Sequence, residues 1–158
     1  MRPLLPTDVP LLAEIFRASI EELTSDEYSD AQRAAWAALA DDEEAFGARL
    51  ARQLTLLGTL GGSPVGFASL KEPDHVDMIY VHPAAARRGV GAMLIDALEK
   101  LAAGRGVTRL TADASDSAQE FFRKRRYIPQ RRNTVEQGGE WLANTTMAKT
   151  LAPKEAKR

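Results

Sequence analysis

Apolar side chains along the chain follow two different periods. Val9, Leu12, Ile15, Phe16 and Ile20 recur at helical spacing. Thr7 stands before them as an N-cap with Asp8 in the first turn, and Met1–Leu5 can form a short strand ahead of it. After a polar connector at residues 21–28, Ser29 and Gln32 make a capping box that predicts a second helix through Trp36 and Leu39. Asp41 with Glu44 predicts a third helix, ending near Gln53. The pattern then becomes that of strands, over residues 55–60, 65–70 and 75–82, with turns at Gly61-Gly62-Ser63-Pro64 and Lys71-Glu72-Pro73-Asp74. Helical spacing returns with Val90, Met93, Leu94, Ala97, Leu98 and Leu101, and stops at Gly104-Arg105-Gly106. Asp96 and Lys100 can pair across one turn of that helix. A strand at 108–112 follows. Ser115 or Asp116 then caps a helix with Ala118, Phe121 and Phe122 on one face, and a last hairpin joins 128–136 to 141–149. The order β-α-α(-α)-β-β-β-α-β-α-β-β predicts an α/β (α+β) fold, a mixed sheet with helices on both faces. Residues 1–151 read as one domain, and 152–158 as a polar tail.

One stretch carries most of the chemistry. Asp77 to Val81 is a strand rich in β-branched and aromatic residues, which Pro83 ends because proline cannot donate to a ladder. A helix begins near Val90. Between them lie Arg87, Arg88, Gly89 and Gly91. The first amides of a helix have no intrahelical acceptor, and the macrodipole adds roughly half a positive charge there. Glycines let a ligand approach those amides, so a phosphate or pyrophosphate is the expected guest. The stretch is not a P-loop, since no lysine and Ser/Thr pair follows the second glycine. Nor is it a dinucleotide fingerprint, because Leu94 stands where the third glycine belongs and seven residues separate Val81 from Gly89.

Tyr80-Val81-His82-Pro83 followed by Arg87-Arg88-Gly89-Val90-Gly91-Ala92-Met93-Leu94 resembles the acetyl-CoA signature of the GNAT family, the GCN5-related N-acetyltransferases. The family pattern is Gln/Arg-x-x-Gly-x-Gly/Ala, and its first position here is Ala86. The resemblance covers nearly the whole chain. It implies a GNAT-like, mostly antiparallel central sheet, acetyl-CoA as co-substrate and no metal. Coenzyme A is then expected at Arg87, Arg88, Gly89, Val90, Gly91 and Ala92. The backbone of Ile79, Tyr80 and Val81 is expected to meet the pantetheine arm and the acetyl oxygen. Ser115, Ala118, Phe122, Arg126 and Tyr127 fall on the family pattern Asn-x-x-Ala-x-x-x-Tyr-x-x-x-Gly-Phe, so Ser115 and Phe122 belong with the cofactor site. Phe122 replaces the usual tyrosine and cannot donate a proton. Tyr127 takes the slot of a packing phenylalanine.

For the base, His75 and Asp77 would share a face with Ile79 and Val81 if the strand is regular. An imidazole suits the task because it titrates near neutrality, and a carboxylate in an apolar strand needs a partner or a role. His82 reads as a turn residue. Acceptor candidates are Tyr28, Trp36, Trp141 and Asn144, with Glu21, Glu22 and Asp26 as nearby acids for an amine.

Charge and composition narrow the functions. Residues 1–60 carry five Lys/Arg against eleven Asp/Glu, and 61–158 carry sixteen against eleven. An anionic cofactor in the second half and a cationic acceptor near the first fit this division. With no cysteine there is no disulfide, thiolate metal site or cysteine nucleophile. No signal-peptide pattern or long apolar run is present, so we expect a cytoplasmic protein without membrane contact. The basic run Arg123–Arg132 lacks interleaved aromatics, which speaks against nucleic acid. The expectation is direct transfer of an acetyl group to a primary amine of a small molecule. A protein or peptide N-acetyltransferase, or a catalytically weak coenzyme A-binding module, are the alternatives, and a homodimer stays open.

Overall fold

The computed structural model describes residues 1–151, and the tail at 152–158 lies outside them. Its strands are β1 (Arg2–Pro3), β2 (Leu54–Leu60), β3 (Ser63–Lys71), β4 (His75–Val81), β5 (Arg109–Ser115), β6 (Ile128–Gln137) and β7 (Glu140–Thr150). The helices are α1 (Val9–Leu23), α2 (Asp30–Ala37), α3 (Glu43–Ala51), α4 (Val90–Gly104) and α5 (Gln119–Lys124). Seven strands form one sheet in the order β1-β2-β3-β4-β5-β7-β6. Neighbours run antiparallel except β4 and β5, which are parallel. The mixed, mostly antiparallel architecture is the one expected.

Two apolar clusters cover the two faces. On one, α1, α2 and α3 lay Leu12, Phe16, Ile20, Ala37, Phe46 and Leu50 against Leu57, Phe67 and Met78. On the other, α4 and α5 lay Leu94, Ile95, Leu98 and Phe122 against Ala68, Leu70, Val76 and Leu110. Val90, the first residue of α4, enters a hollow made by glycines in β2 and β3. A Cβ on Gly58 would lie 2.8 Å from Val90 Cγ1, and one on Gly66 would lie 3.0 Å from the Tyr80 carbonyl oxygen. The start of α4 is thereby seated on the sheet.

Several local expectations shift. The N-cap position of α1 is Asp8 and not Thr7, and its carboxylate turns away from the helix to accept the Leu5 N–H at 2.8 Å and pair with Arg2 at 2.8 Å. Asp42, not Asp41, caps α3 by accepting the Ala45 N–H at 3.0 Å. The Ser29–Gln32 capping box forms as read. On α4 the buried face is Val90, Leu94, Ile95, Leu98 and Ala102, while Met93 and Leu101 are exposed. Asp96 faces Arg125 at 3.7 Å and not Lys100.

The largest departure is in β4. Ser69 pairs with Met78 and Leu70 with Val76, so Asp77 is an extra residue, a β-bulge. Regular alternation is broken there. Val76, Ile79 and Val81 face α4, whereas Met78 and Tyr80 face α1 to α3. Asp77 therefore does not share a face with Ile79 and Val81. Its carboxylate accepts from Arg49 Nε at 2.8 Å, Arg49 Nη2 at 2.9 Å and Gln53 Nε2 at 2.9 Å, all from the α3 side. Burial pushes the Asp77 carboxyl up, but the hydrogen bonds from Arg49 and Gln53 outweigh it and hold the group below the usual carboxylate range.

The lowered folded value means that the pair stabilises the fold above the unfolded carboxylate range and loses that contribution as pH falls through the folded value. Arg49→Met should cost about 2 kcal/mol near neutrality, below the cost of breaking a fully buried pair because Arg49 is partly exposed. Urea unfolding should show the gap to wild type narrowing below about pH 4.

Candidate active site

Strands β4 and β5 pair at only two positions, His75 with Thr111 and Val76 with Ala112. Beyond Val76 they part, and the sheet opens into a V. Two cavities meet at this opening. One, of about 440 Å³, runs over Ile79 to Val81 and the start of α4. The other, of about 340 Å³, lies between the α2 region, the base of the V and the β6–β7 hairpin. Trp36, Ile79, Tyr80, Ser115 and Ala118 line both.

The larger cavity contains the Gly89 loop. Gly89 is the N-cap of α4 at φ 82°, in the left-handed region, and Arg87 at φ 65° shares that region. Met93 N–H is the first to reach back into the helix, bonding the Gly89 carbonyl at 3.0 Å. The amides of Val90, Gly91 and Ala92 precede it and line the cavity with Arg87. Gly91 admits the Phe121 ring, which would lie 3.2 Å from a Cβ there. This cradle fits a pyrophosphate. Arg88 is exposed and outside both cavities. Arg125, which the sequence reading passed over, lines the cavity with its guanidinium 5.2 Å from the Phe121 ring centroid. Its signal in the sequence is its place in the basic run Arg123–Arg132.

The smaller cavity gathers residues from α1, α2, α3, α5 and strands β4 to β7, with Tyr28 from the connector. His75, at the base of the V, has Nδ1 2.7 Å from Thr111 Oγ1 and Nε2 3.7 Å from Asp113 Oδ2. Asp113 also accepts from Thr146 Oγ1 at 2.6 Å. Tyr28 is buried. Its hydroxyl donates to the Ala143 carbonyl at 2.6 Å and accepts the Asp116 N–H at 2.9 Å. Burial pushes its phenol up. Trp36 stands edge-on to Tyr28, with centroids 5.3 Å apart, and Asn144 accepts from Asn133 Nδ2 at 2.9 Å. Phe122 lines this cavity, not the cofactor side, and is packed edge-on against Tyr127. Ser115 accepts the Ala118 N–H at 3.2 Å.

Trp141 is a correction. Its side chain is 62% exposed on the outer end of the hairpin and lines neither cavity. Glu21, Glu22 and Asp26 are also at the surface and outside the cleft. Two carboxylates do line it, Asp113 and Asp77, and Arg49 lines it beside Asp77. Asp113 was legible in the alternation Thr111, Asp113, Ser115 against Ala112 and Ala114. His82 is the turn residue expected, its Nδ1 accepting the Ala84 N–H at 3.0 Å. Tyr127 is buried and donates to Glu99 at 2.8 Å, on the far side of α5. Among the described residues no group of three or more His, Asp or Glu side chains could hold a metal ion. No described helix is long and apolar enough to cross a membrane.

A splayed sheet above the start of α4 suits a protein that lays a phosphate-bearing ligand along β4. The profile of the acetyltransferase (GNAT) domain matches residues 24–151, so the chain belongs to the GNAT family of N-acetyltransferases. It is 33% identical over 142 residues, 90% of this chain and 89% of the other, to YafP of Escherichia coli K12, described as an uncharacterized N-acetyltransferase. It is also similar to the solved structure of a GCN5-related N-acetyltransferase, "Aminotransferase, Class-II", from Rhodopseudomonas palustris. The identity is 63%, the TM-score 0.94, and the match covers 95% of this chain and 94% of that one. The PaiA N-acetyltransferase of Thermoplasma acidophilum, solved with coenzyme A, shares the fold at TM-score 0.76 and 17% identity, over 94% and 96% of the two chains. Acetyl-CoA is the co-substrate of this family's chemistry.

Gly89→Asp should weaken coenzyme A binding at least tenfold more than Gly89→Asn in titration calorimetry. Both residues meet the same positive φ, so the difference isolates one negative charge beside the pyrophosphate.

Proposed function

We propose that the protein transfers an acetyl group from acetyl-CoA directly to a primary amine of a small molecule. The observation that carries this is the meeting of two cavities across the open side of β4. A thioester lying along Ile79 to Val81 on the cofactor side faces an amine entering from the other. Unpaired strand amides aimed at the thioester oxygen stabilise the developing oxyanion, with about 3 kcal/mol for a well-placed donor. The acceptor cavity, about 340 Å³, is walled by Tyr28, Trp36 and the hairpin, a size suited to a small molecule. The Asp113 carboxylate attracts a protonated amine.

The amine must lose a proton before it attacks. His75 is the base in this reading. Asp77 is not, because both its oxygens are engaged by Arg49 and Gln53. His75 is four residues down β4 from Ile79, roughly 13 Å at strand rise, so the proton travels through water in the cleft. The contacts to Thr111 and Asp113 fix the ring.

The test is thiol release from acetyl-CoA with a panel of small amines and of peptides. Release with small amines is expected. Release with peptides alone would overturn the acceptor class, and coenzyme A binding without release would overturn the reaction. His75→Gln should lower kcat about a hundredfold while coenzyme A affinity is kept. An unchanged kcat would remove His75 from the mechanism.

A further inference from the structure

The family's usual phenol is absent at Phe122, yet the departing coenzyme A thiolate still needs a proton. The chain has three tyrosines. Tyr127 lines neither cavity, and its proton goes to Glu99. Tyr28 lines only the acceptor cavity, and its proton goes to the Ala143 carbonyl. Tyr80 lines both cavities. Its oxygen accepts from Trp36 Nε1 at 3.3 Å, and among the described residues no acceptor takes its own proton. Uncommitted phenolic hydrogen is thus found at one place, the seam of the two clefts.

Its surroundings suit proton donation. The Tyr80 ring is wedged among Phe16, Phe67 and Trp36, with centroids 4.7, 5.8 and 6.4 Å away. Burial among these rings pushes the phenol up to about 12, so it stays protonated through the neutral range. The indole N–H opposes that rise by bonding the oxygen, which favours giving the proton away. It also occupies one side of that oxygen and so orients the O–H bond away from Trp36.

We propose that Tyr80 donates the proton to the sulfur of the departing coenzyme A, with Trp36 as its positioning residue; this rests on the transfer reaction proposed above. The amine nitrogen bonds to the carbonyl carbon, and the π electrons move to oxygen. When the intermediate collapses they return, the C–S bond breaks and its electron pair goes to sulfur. Tyr80 Oη–H gives sulfur its proton while the phenol oxygen recovers one from the new amide nitrogen through solvent. The products are the N-acetyl amide and free thiol, and Tyr80 is unchanged. The bulge at Asp77 makes this geometry available. In an unbulged strand in which Val76 kept its place on the α4 face, Tyr80 would lie on that face too.

Tyr80→Phe should lower kcat about a hundredfold in thiol release while calorimetry finds the coenzyme A dissociation constant unchanged. Adding Phe122→Tyr to that variant should recover turnover by returning a phenol to the family's position, which a purely structural loss would not allow. Trp36→Phe keeps the ring packing but removes the N–H donor, and should lower kcat with coenzyme A affinity retained. Undiminished kcat in Tyr80→Phe overturns the role, as does a loss matched by equal losses of affinity and thermal stability. If Tyr80→Phe does not fold, undiminished kcat in Trp36→Phe overturns it. Wild-type protein that binds coenzyme A and releases no thiol with any amine overturns the reaction itself, a different result from wild-type turnover that Tyr80→Phe leaves intact.

Discussion

The extra residue in β4, held by Arg49 and Gln53, is the constraint on which the site depends. A bulge inserts one position and exchanges the faces of everything beyond it. Because Asp77 is taken up by α3, Val76 stays on the α4 face to pair beside β5, and three residues later Ile79 returns to that face. The neighbouring positions Met78 and Tyr80 then belong to the α1–α3 side. Parallel pairing ends where the bulge begins. The V between β4 and β5 therefore opens at the point where one ion pair distorts the strand. The Asp77 carboxylate is partly shielded from water and has three donors around it, an arrangement that ties the strand to α3 and its end.

The sheet keeps two kinds of chemistry apart. On the α4 side, a helix start seated in the Gly58–Gly66 hollow lines a cavity together with Arg87, an arrangement that fits an anion. On the other side, β5 and β7 present Asp113, Asn144 and Thr146, a polar surface linked by hydrogen bonds through Asn133. The strands that carry these groups also separate them, except where the sheet is open. The proposed transfer uses this gap, where residues such as Ile79 and Tyr80 line the cavities of both sides.

Much of this was legible in the sequence, and the failures share a cause. The Gly89 loop, the Ser29–Gln32 box and the order of elements along the chain rest on local rules, in which a residue's neighbours in sequence decide its geometry. The bulge does not. Residues 75–81 read as an ordinary alternating strand, and only the arrival of Arg49, from 28 positions earlier, turns Asp77 aside. Trp141 misled for a similar reason. Tryptophan favours burial, but its place on the outer end of a hairpin is set by register with β6, where Glu136 is its partner. On α4 the apolar residues occupy more than one face, so spacing alone could not choose between Met93 and Ile95 as the one that packs inward.

The hydroxyl of Tyr28 bonds a carbonyl 115 residues further along the chain and an amide 88 residues further along. As the polypeptide leaves the ribosome, α1 and α2 emerge long before the hairpin that will face them. The Gly89 loop, β3 and β4 are all synthesised earlier than that hairpin. In order of synthesis, the hairpin side of the smaller cavity follows its Tyr28 and Trp36 side, and a chain ending before Ala143 lacks the carbonyl that Tyr28 bonds.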